Sequence, residues 1–268
     1  MYRWCARHGR LIIWLWTLFS LVIVSPLIFL GEISFIWLSL YLLFMAFLSW
    51  GFVNACARTL LNKAVGILND HCDPSPLLLE VNDQLTYSRS KTYNQILTIN
   101  QCVAWRVMGR SNLVLPTLEQ LNIDQHSGTL LQTKVVYYNN LADAYIEIED
   151  VEKALIWQTK ARQIVADLKN QKMKAALQDI LLLNSAAIEI LRGQYDEAEH
   201  LLMQQAGKKK SLKRSVAEAL LFAQIDIHQG RIESARDRLN FVIANGNQLD
   251  DVLKARKMMD TLPNGSGN

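Results

Sequence analysis

The sequence predicts an all-α protein, a two-helix transmembrane hairpin followed by helices stacked as repeated pairs. Three observations carry this expectation. From Leu11 to Ala57 the only charged side chain is Glu32. Beyond that stretch, apolar residues recur at helical spacing with a short break roughly every fifteen to twenty residues. No run of alternating β-branched residues is long enough for a sheet, and 12 Gly with 5 Pro leave few positions that break a helix.

The chain begins with a basic tail, residues 1–10, carrying Arg3, Arg7 and Arg10. LIIWLWTLFSLVIVSPLIFL (11–30) follows, about the length an α-helix needs to cross the ~30 Å hydrocarbon core of a bilayer. SFIWLSLYLLFMAFLSWGFVNAC (34–56) is a second such run, and Gly31 with Glu32 marks the turn between them. Two helices joined by a tight turn satisfy their own backbone hydrogen bonds in lipid. Five of the seven Trp lie in the first fifty positions, and Trp14, Trp16, Trp37 and Trp50 include rings suited to the interfacial belt. Basic residues flank the outer ends of both runs, Arg58 and Lys63 after the second, and none lies in the turn. The positive-inside rule then places both termini and everything after residue 56 in the cytoplasm, with a bacterial cytoplasmic membrane as the expected setting. A cleaved signal peptide fits less well, because its apolar core would be shorter and no second span would follow.

Helices are expected at 57–70 and 76–88, in a juxtamembrane segment 57–90. A repeat domain, 91–259, should then contain helices at 91–108, 111–122, 130–147, 151–167, 171–192, 194–206, 212–229, 231–245 and 248–259. Residues 260–268 read as a disordered tail. Asp73-Pro74-Ser75-Pro76 is a helix-start signal, and Ser90, Ser111 and Ser211 are expected N-caps. Setting aside Arg3, Arg7 and Arg10, and Glu32, leaves 25 Lys and Arg against 24 Asp and Glu. A nearly neutral domain lacks the basic face a general nucleic-acid binder needs. Cys5, Cys56, Cys72 and Cys102 show no C-x-x-C spacing and read as small apolar residues in a reducing compartment.

Three segments align without a gap: VVYYNNLADAYIEIEDVEKALIWQTKA (135–161), DILLLNSAAIEILRGQYDEAEHLLMQQ (179–205) and VAEALLFAQIDIHQGRIESARDRLNFV (216–242). Small residues recur at Ala142, Ala186 and Ala223, and again at Ala154, Ala198 and Ala235. The turn falls at Glu149-Asp150, Gly193-Gln194 and Gly230-Arg231. Upstream, Cys102, Trp105 and Gly109 fall in the same register, with Val114 in place of the second Ala. Over roughly 91–245 this pattern resembles the tetratricopeptide repeat (TPR) family. The first segment carries it best, with Tyr138, Leu141, Ala142, Tyr145, Ala154 and Ala161. The second has Ser185 and Glu189, and the third Asp226, where the family has other residues.

The resemblance implies a curved solenoid of three to four hairpins that binds a protein partner through a concave face. Carrying over the family's concave positions gives Val136, Asn139, Asp143 and Ile146 in the first copy, then Ile180, Leu183, Ala187 and Ile190. The third copy supplies Ala217, Leu220, Gln224 and Ile227. None is basic, so a carboxylate ligand would find no partner and Asp143 would repel it. The apolar stripe of the second copy suits the apolar face of a helix, from a partner or from the chain's own C-terminal helix with Val252, Leu253 and Met258.

No constellation supports an enzyme. Asp70-His71-Cys72-Asp73 is the densest set of possible ligands, but four consecutive residues cannot all converge on one ion, and a polar turn is expected there. His126, His200 and His228 are isolated, and no Gly-rich phosphate loop or nucleophile elbow occurs. Neither metal nor cofactor nor small-molecule substrate is expected. GKKKSLKR (207–214) gathers Lys208, Lys209, Lys210, Lys213 and Arg214. It reads as a solvated loop, or as a contact for anionic lipid if it faces the membrane. The function expected is a membrane-anchored interaction scaffold. The rival reading is a structural subunit whose hairpin packs against another membrane protein. Close helix packing uses small residues four apart, and among Ser39, Ala46 and Ser49 no two are so spaced.

Overall fold

The computed structural model describes residues 1–29, 35–121, 123–125, 130–204 and 207–263. Among the described residues there are thirteen α-helices, one 3-10 turn (Ile123–Gln125) and no strand. The all-helical class is therefore as expected. The chain divides into two compact units, Met1–Val65 and Gly66–Asn268.

The first unit holds α1 (Tyr2–Arg7), α2 (Gly9–Phe29) and most of α3 (Phe35–His71). Both α2 and α3 are long and apolar enough to cross a membrane. Their large side chains stay uncovered, with Trp14 71 %, Trp37 69 % and Leu43 72 % exposed. Within this unit Ile12, Ser20 and Val24 on α2, and Leu38, Ser49 and Cys56 on α3, are buried. Gly9 permits close approach, since a Cβ there would lie 2.4 Å from Val53 Cγ1. The buried hydroxyls are satisfied inside their own helices. Ser20 donates to the Trp16 carbonyl at 2.7 Å, and Ser49 to the Met45 carbonyl at 2.8 Å. The turn expected at Gly31-Glu32 lies outside the described residues.

One boundary is corrected. A new helix was expected at Ala57, yet α3 runs unbroken from Phe35 to His71, about 55 Å at 1.5 Å per residue. The change from solid apolar to amphipathic composition is not a backbone signal, and Cys56-Ala57-Arg58 contains no helix breaker.

The second unit continues with α4 (Ser75–Tyr87), α5 (Lys91–Val107), α6 (Ser111–Gln120), α7 (Leu131–Glu147), α8 (Val151–Ala166) and α9 (Gln171–Leu191). It ends with α10 (Tyr195–Met203), α11 (Leu212–His228), α12 (Ile232–Asn245) and α13 (Asp250–Thr261). Ser90 and Ser211 cap as expected, accepting from Tyr93 N and Arg214 N at 3.2 and 3.3 Å. Ser111 does not cap: it is the first residue of α6, and Arg110 holds the cap position without a side-chain bond. Asp150 and Asn170 supply caps that the pattern did not reveal.

Neighbouring helices pack as α4 on α5, α5 on α6, α7 on α8, α9 on α10 and α11 on α12. Alternate helices α5, α7, α9, α11 and α13 also touch in succession, and α13 touches α5 again. The recurrent small residues sit where each pair meets. Ala142, Ala154, Ala186, Ala198, Ala223 and Ala235 all have no exposed surface.

One turn is repeated four times. Gly109, Glu149, Gly193 and Gly230 have φ of 73, 60, 73 and 73°, in the left-handed region. Each donates to the carbonyl three residues back, and the following residue donates to the carbonyl five back. Arg110→Trp105 (2.8 Å), Asp150→Tyr145 (3.0 Å), Gln194→Glu189 (2.8 Å) and Arg231→Asp226 (2.8 Å) are the longer bonds. This is the Schellman closure, which satisfies the last carbonyls of a helix and reverses the chain. Glycine is the natural occupant; Glu149 adopts the same geometry at a steric cost.

At Ala198 a larger side chain has no space between α9 and α10. Ala198→Leu, and likewise Ala154→Leu, is expected to lower stability by about 1–3 kcal/mol through overpacking, read as a lower thermal unfolding midpoint. Exposed Lys169→Leu should leave the midpoint unchanged.

Candidate functional site

The row of alternate helices gathers charge along one side. Arg106 on α5 places Nε 2.8 Å from an Asp143 oxygen on α7, with the two side chains 20 and 16 % exposed. One turn further along α7, Glu147 receives Lys254 Nζ of α13 at 2.8 Å, and Lys254 also reaches Asp250 at 3.4 Å. Asp251 of α13 and Lys213 of α11 act on the same groups. Seven charged side chains from four helices thus share one electrostatic environment.

Burial governs how they titrate. It pushes the Asp143 carboxyl up, because burial and Glu147 together outweigh Arg106. Asp251 is raised for the same first reason. Burial opposes the charge on Arg106 and Lys254, but the surrounding carboxylates prevail and hold both above their usual values. For Lys213, burial and the nearby Arg106 bring the ammonium down to about 8, against the pull of Asp143 and Asp251.

The C-terminal helix meets this centre. Val252 and Ala255 are its buried positions, flanked by buried Leu249 and Leu262 at its two caps, whereas Leu253 is 58 % exposed. Of the three residues expected to fill a groove, Val252 is buried and lies near Gly246 and Val216, Met258 is half-buried, and Leu253 faces solvent. The helix is anchored by polar contacts as well. Asn247 Nδ2 donates to the His71 carbonyl at 2.9 Å, Gln248 N to the Cys72 carbonyl at 3.3 Å, and Ser75 Oγ to Gln248 Oε1 at 3.0 Å. Of the Asp70–Asp73 stretch, Asp70 and His71 end α3 and only Cys72 and Asp73 lie beyond it. The α12–α13 loop docks on the His71 and Cys72 carbonyls, and no group of three or more His, Cys, Asp or Glu that could hold a metal ion occurs among the described residues. Gly109 completes the contact, since a Cβ there would lie 2.6 Å from Asp250 Oδ1.

The concave positions carried over from the resemblance fall on α7, α9 and α11. Val136 and Ile146 pack against one core, and Leu183 and Ile190 against another. Asn139, Ala187, Ala217, Gln224 and Ile227 are half-buried, Leu220 is buried, and Ile180 is 39 % exposed. Asp143, expected to repel an anion, is paired with Arg106.

The basic run is largely spent within the fold. Lys208 pairs with Asp179 at 2.9 Å, Lys210 and Arg214 both pair with Glu218, and Arg214 also donates to the Asp179 carbonyl at 2.7 Å. Lys213 joins the charged centre, and Lys209 is exposed.

Asp226, an exception to the repeat pattern, is a structural anchor. Its side chain is 1 % exposed and accepts from Arg231, Ser234 and Arg238, each bond at 2.6 Å. Burial opposes its charge, but these three donors outweigh it and hold the carboxyl below its usual range. Only the departure from an aromatic residue at this position marked it in the sequence. Among the cysteines, all four are buried and free, and burial lifts Cys102 to about 12, well outside the range of a reactive thiolate. His126 lies outside the described residues; His228 stacks on Tyr195 with ring centroids 3.6 Å apart.

No family model matches the chain, and neither a curated protein nor a solved structure does so.

Lys213 should be a site of stored instability. Its folded-state pKa of about 8 lies below the unfolded value of 10.5, so the protonated form opposes folding at pH 7. Stability should rise as the pH increases from about 8 towards 10.5, where the folded chain has released this proton and the unfolded chain has not. Lys213→Met is expected to gain about 1–2 kcal/mol at pH 7, less than the whole shift implies because the residue keeps some water contact. Thermal unfolding at a series of pH values checks this, and the advantage of the variant should close near pH 10.

Proposed function

We propose that the protein is a membrane-anchored interaction scaffold. In this reading α2 and the apolar part of α3 span the bilayer, and residues 91–245 form a TPR-like solenoid of four hairpins in the cytoplasm. The single observation that carries the repeat reading is the fourfold Schellman turn, with a fully buried small residue on either side of it in three of the four hairpins. Such hairpins leave an apolar face that only the next copy buries, and they bind through extended surfaces rather than a catalytic cleft. The uncovered apolar belt of the first unit supports the membrane assignment, since large exposed apolar faces are uncommon in water.

The partner we propose is a helical apolar segment of another protein, seated on the α9 stripe of Ile180, Leu183, Ala187 and Ile190. Within that stripe Ile180 is exposed, and Leu183, Ala187 and Ile190 are half-buried. Since Leu183 packs against a core, Leu183→Asp would confound binding with stability. Ile180, 39 % exposed, is the cleaner probe. Ile180→Asp in the full chain should lose partner capture at least about tenfold while helical content by circular dichroism stays constant. Undiminished capture would place the partner elsewhere.

A second reading, the structural subunit, draws on Gly51 and Ala55. These lie four apart on α3, both are exposed, and a Cβ at Gly51 would meet nothing within 4 Å. That pair suits close packing of a foreign transmembrane helix. Partner loss on Gly51→Leu with retention on Ile180→Asp would favour it.

Orientation has its own test. Reporters active only in the cytoplasm should be active when fused to either terminus and silent when inserted at residues 31–34. The opposite pattern would reverse the assignment.

A further inference from the structure

A cavity of about 370 Å³ opens between α8, α9 and α10, away from the charged centre. Its walls are chiefly Val165, Leu181, Leu182 and Leu201. At its edge stand two cations, Arg162 and Lys174. Arg162 Nη2 donates to Ser185 Oγ at 2.7 Å, and Lys174 Nζ donates to the Ala166 carbonyl at 2.7 Å. Both acceptors are neutral, and among the described residues neither cation has a carboxylate within ion-pair distance. Elsewhere on α9 a cation does meet a carboxylate, Lys208 pairing with Asp179 at 2.9 Å.

Ser185 explains why the guanidinium stays at the edge. Its hydroxyl donates to the Leu181 carbonyl at 2.9 Å and accepts from Gln158 Nε2 at 3.0 Å as well as from Arg162. Gln158 is 2 % exposed and also donates to the Leu181 carbonyl at 2.7 Å. One arm of the guanidinium is therefore fixed to a buried network, while its planar fork offers further donors to a ligand. The volume lies at the lower end of ligand pockets, which run roughly 300–1,000 Å³.

We propose that this cavity binds a single acyl chain with an anionic head, the chain between α8, α9 and α10 and the head on Arg162 and Lys174. An acyl chain fits such walls better than a peptide does. The walls are helical, with their backbone groups already bonded, and Gln178 and Ser185 are the neutral polar side chains along them, so most amides of a peptide drawn inside would lose water without gaining partners. A hydrocarbon chain carries no such groups, and its head meets the two cations that lack a carboxylate.

The test uses the full chain in nanodiscs of zwitterionic lipid, with radiolabelled dodecanoate, dodecyl phosphate and dodecanol measured by scintillation proximity. Saturable binding of either anion, at least about tenfold tighter than dodecanol, is expected. Preference between the two anions tells a fatty-acid carboxylate from a lipid phosphate. Arg162→Gln with Lys174→Gln should abolish that tenfold preference without weakening dodecanol. Leu182→Trp should remove saturable binding of all three while the thermal unfolding midpoint confirms a folded chain. Equal binding of dodecanol and the anions, no saturable component in the unmodified chain, binding unaffected by Leu182→Trp, or tighter binding of acetyl-trileucine than of dodecanoate would each overturn the proposal.

Discussion

Each of the hairpins α5–α6, α7–α8, α9–α10 and α11–α12 depends on two helix axes approaching closely and then reversing through a left-handed residue. Close approach favours a small side chain at the crossing, and Ala154, Ala198 and Ala235 supply it with no exposed surface. The reversal requires φ near +70°, which glycine adopts without strain and Glu149 adopts at a cost. Where the first hairpin has Val114 instead of alanine, the residue is still buried, and the same turn at Gly109 closes it. Geometry at the turn is therefore the stricter constraint, and the crossing residue has somewhat more latitude.

Stacking such hairpins brings alternate helices side by side, and this has an electrostatic consequence. Arg106, Asp143, Glu147, Lys213, Asp250, Asp251 and Lys254 come from four helices and are drawn into a region of reduced solvation. The pairs Arg106–Asp143 and Lys254–Glu147 offset part of the desolvation, but Lys213 remains unfavourably placed. Asp226 lies at the other extreme, where three donors aimed at one buried carboxylate more than compensate for its burial. Buried charge stabilises this fold where the donors are complete and strains it where they are not.

The first unit follows a different rule. Its helices bury a narrow stripe and leave Trp14, Trp37 and Leu43 uncovered, the inverse of a water-soluble bundle. Ser20 and Ser49 are compatible with that environment because each hydroxyl bonds a carbonyl of its own helix.

Local properties were legible in the sequence because they depend on neighbouring residues. Helix positions followed from periodicity, the caps at Ser90 and Ser211 from residue type, and the buried alanines from their recurrence across aligned copies. The continuity of α3 was not legible, since a change of composition looks like a boundary although the backbone passes through it. Nor was the charged centre, because Arg106, Asp143 and Lys254 are separated by dozens of positions and carry no motif when read singly. The same holds for the lysines of 207–214, a uniform basic run in sequence that the fold divides between ion pairs, an exposed lysine and a desolvated one. Sequence by itself determined the all-helical class, most helix positions and the recurrence of small residues across the hairpins, which arise from contacts within about one helical turn or one hairpin. Tertiary structure alone decided which charges are paired and which are desolvated, because both depend on which distant helices share a face.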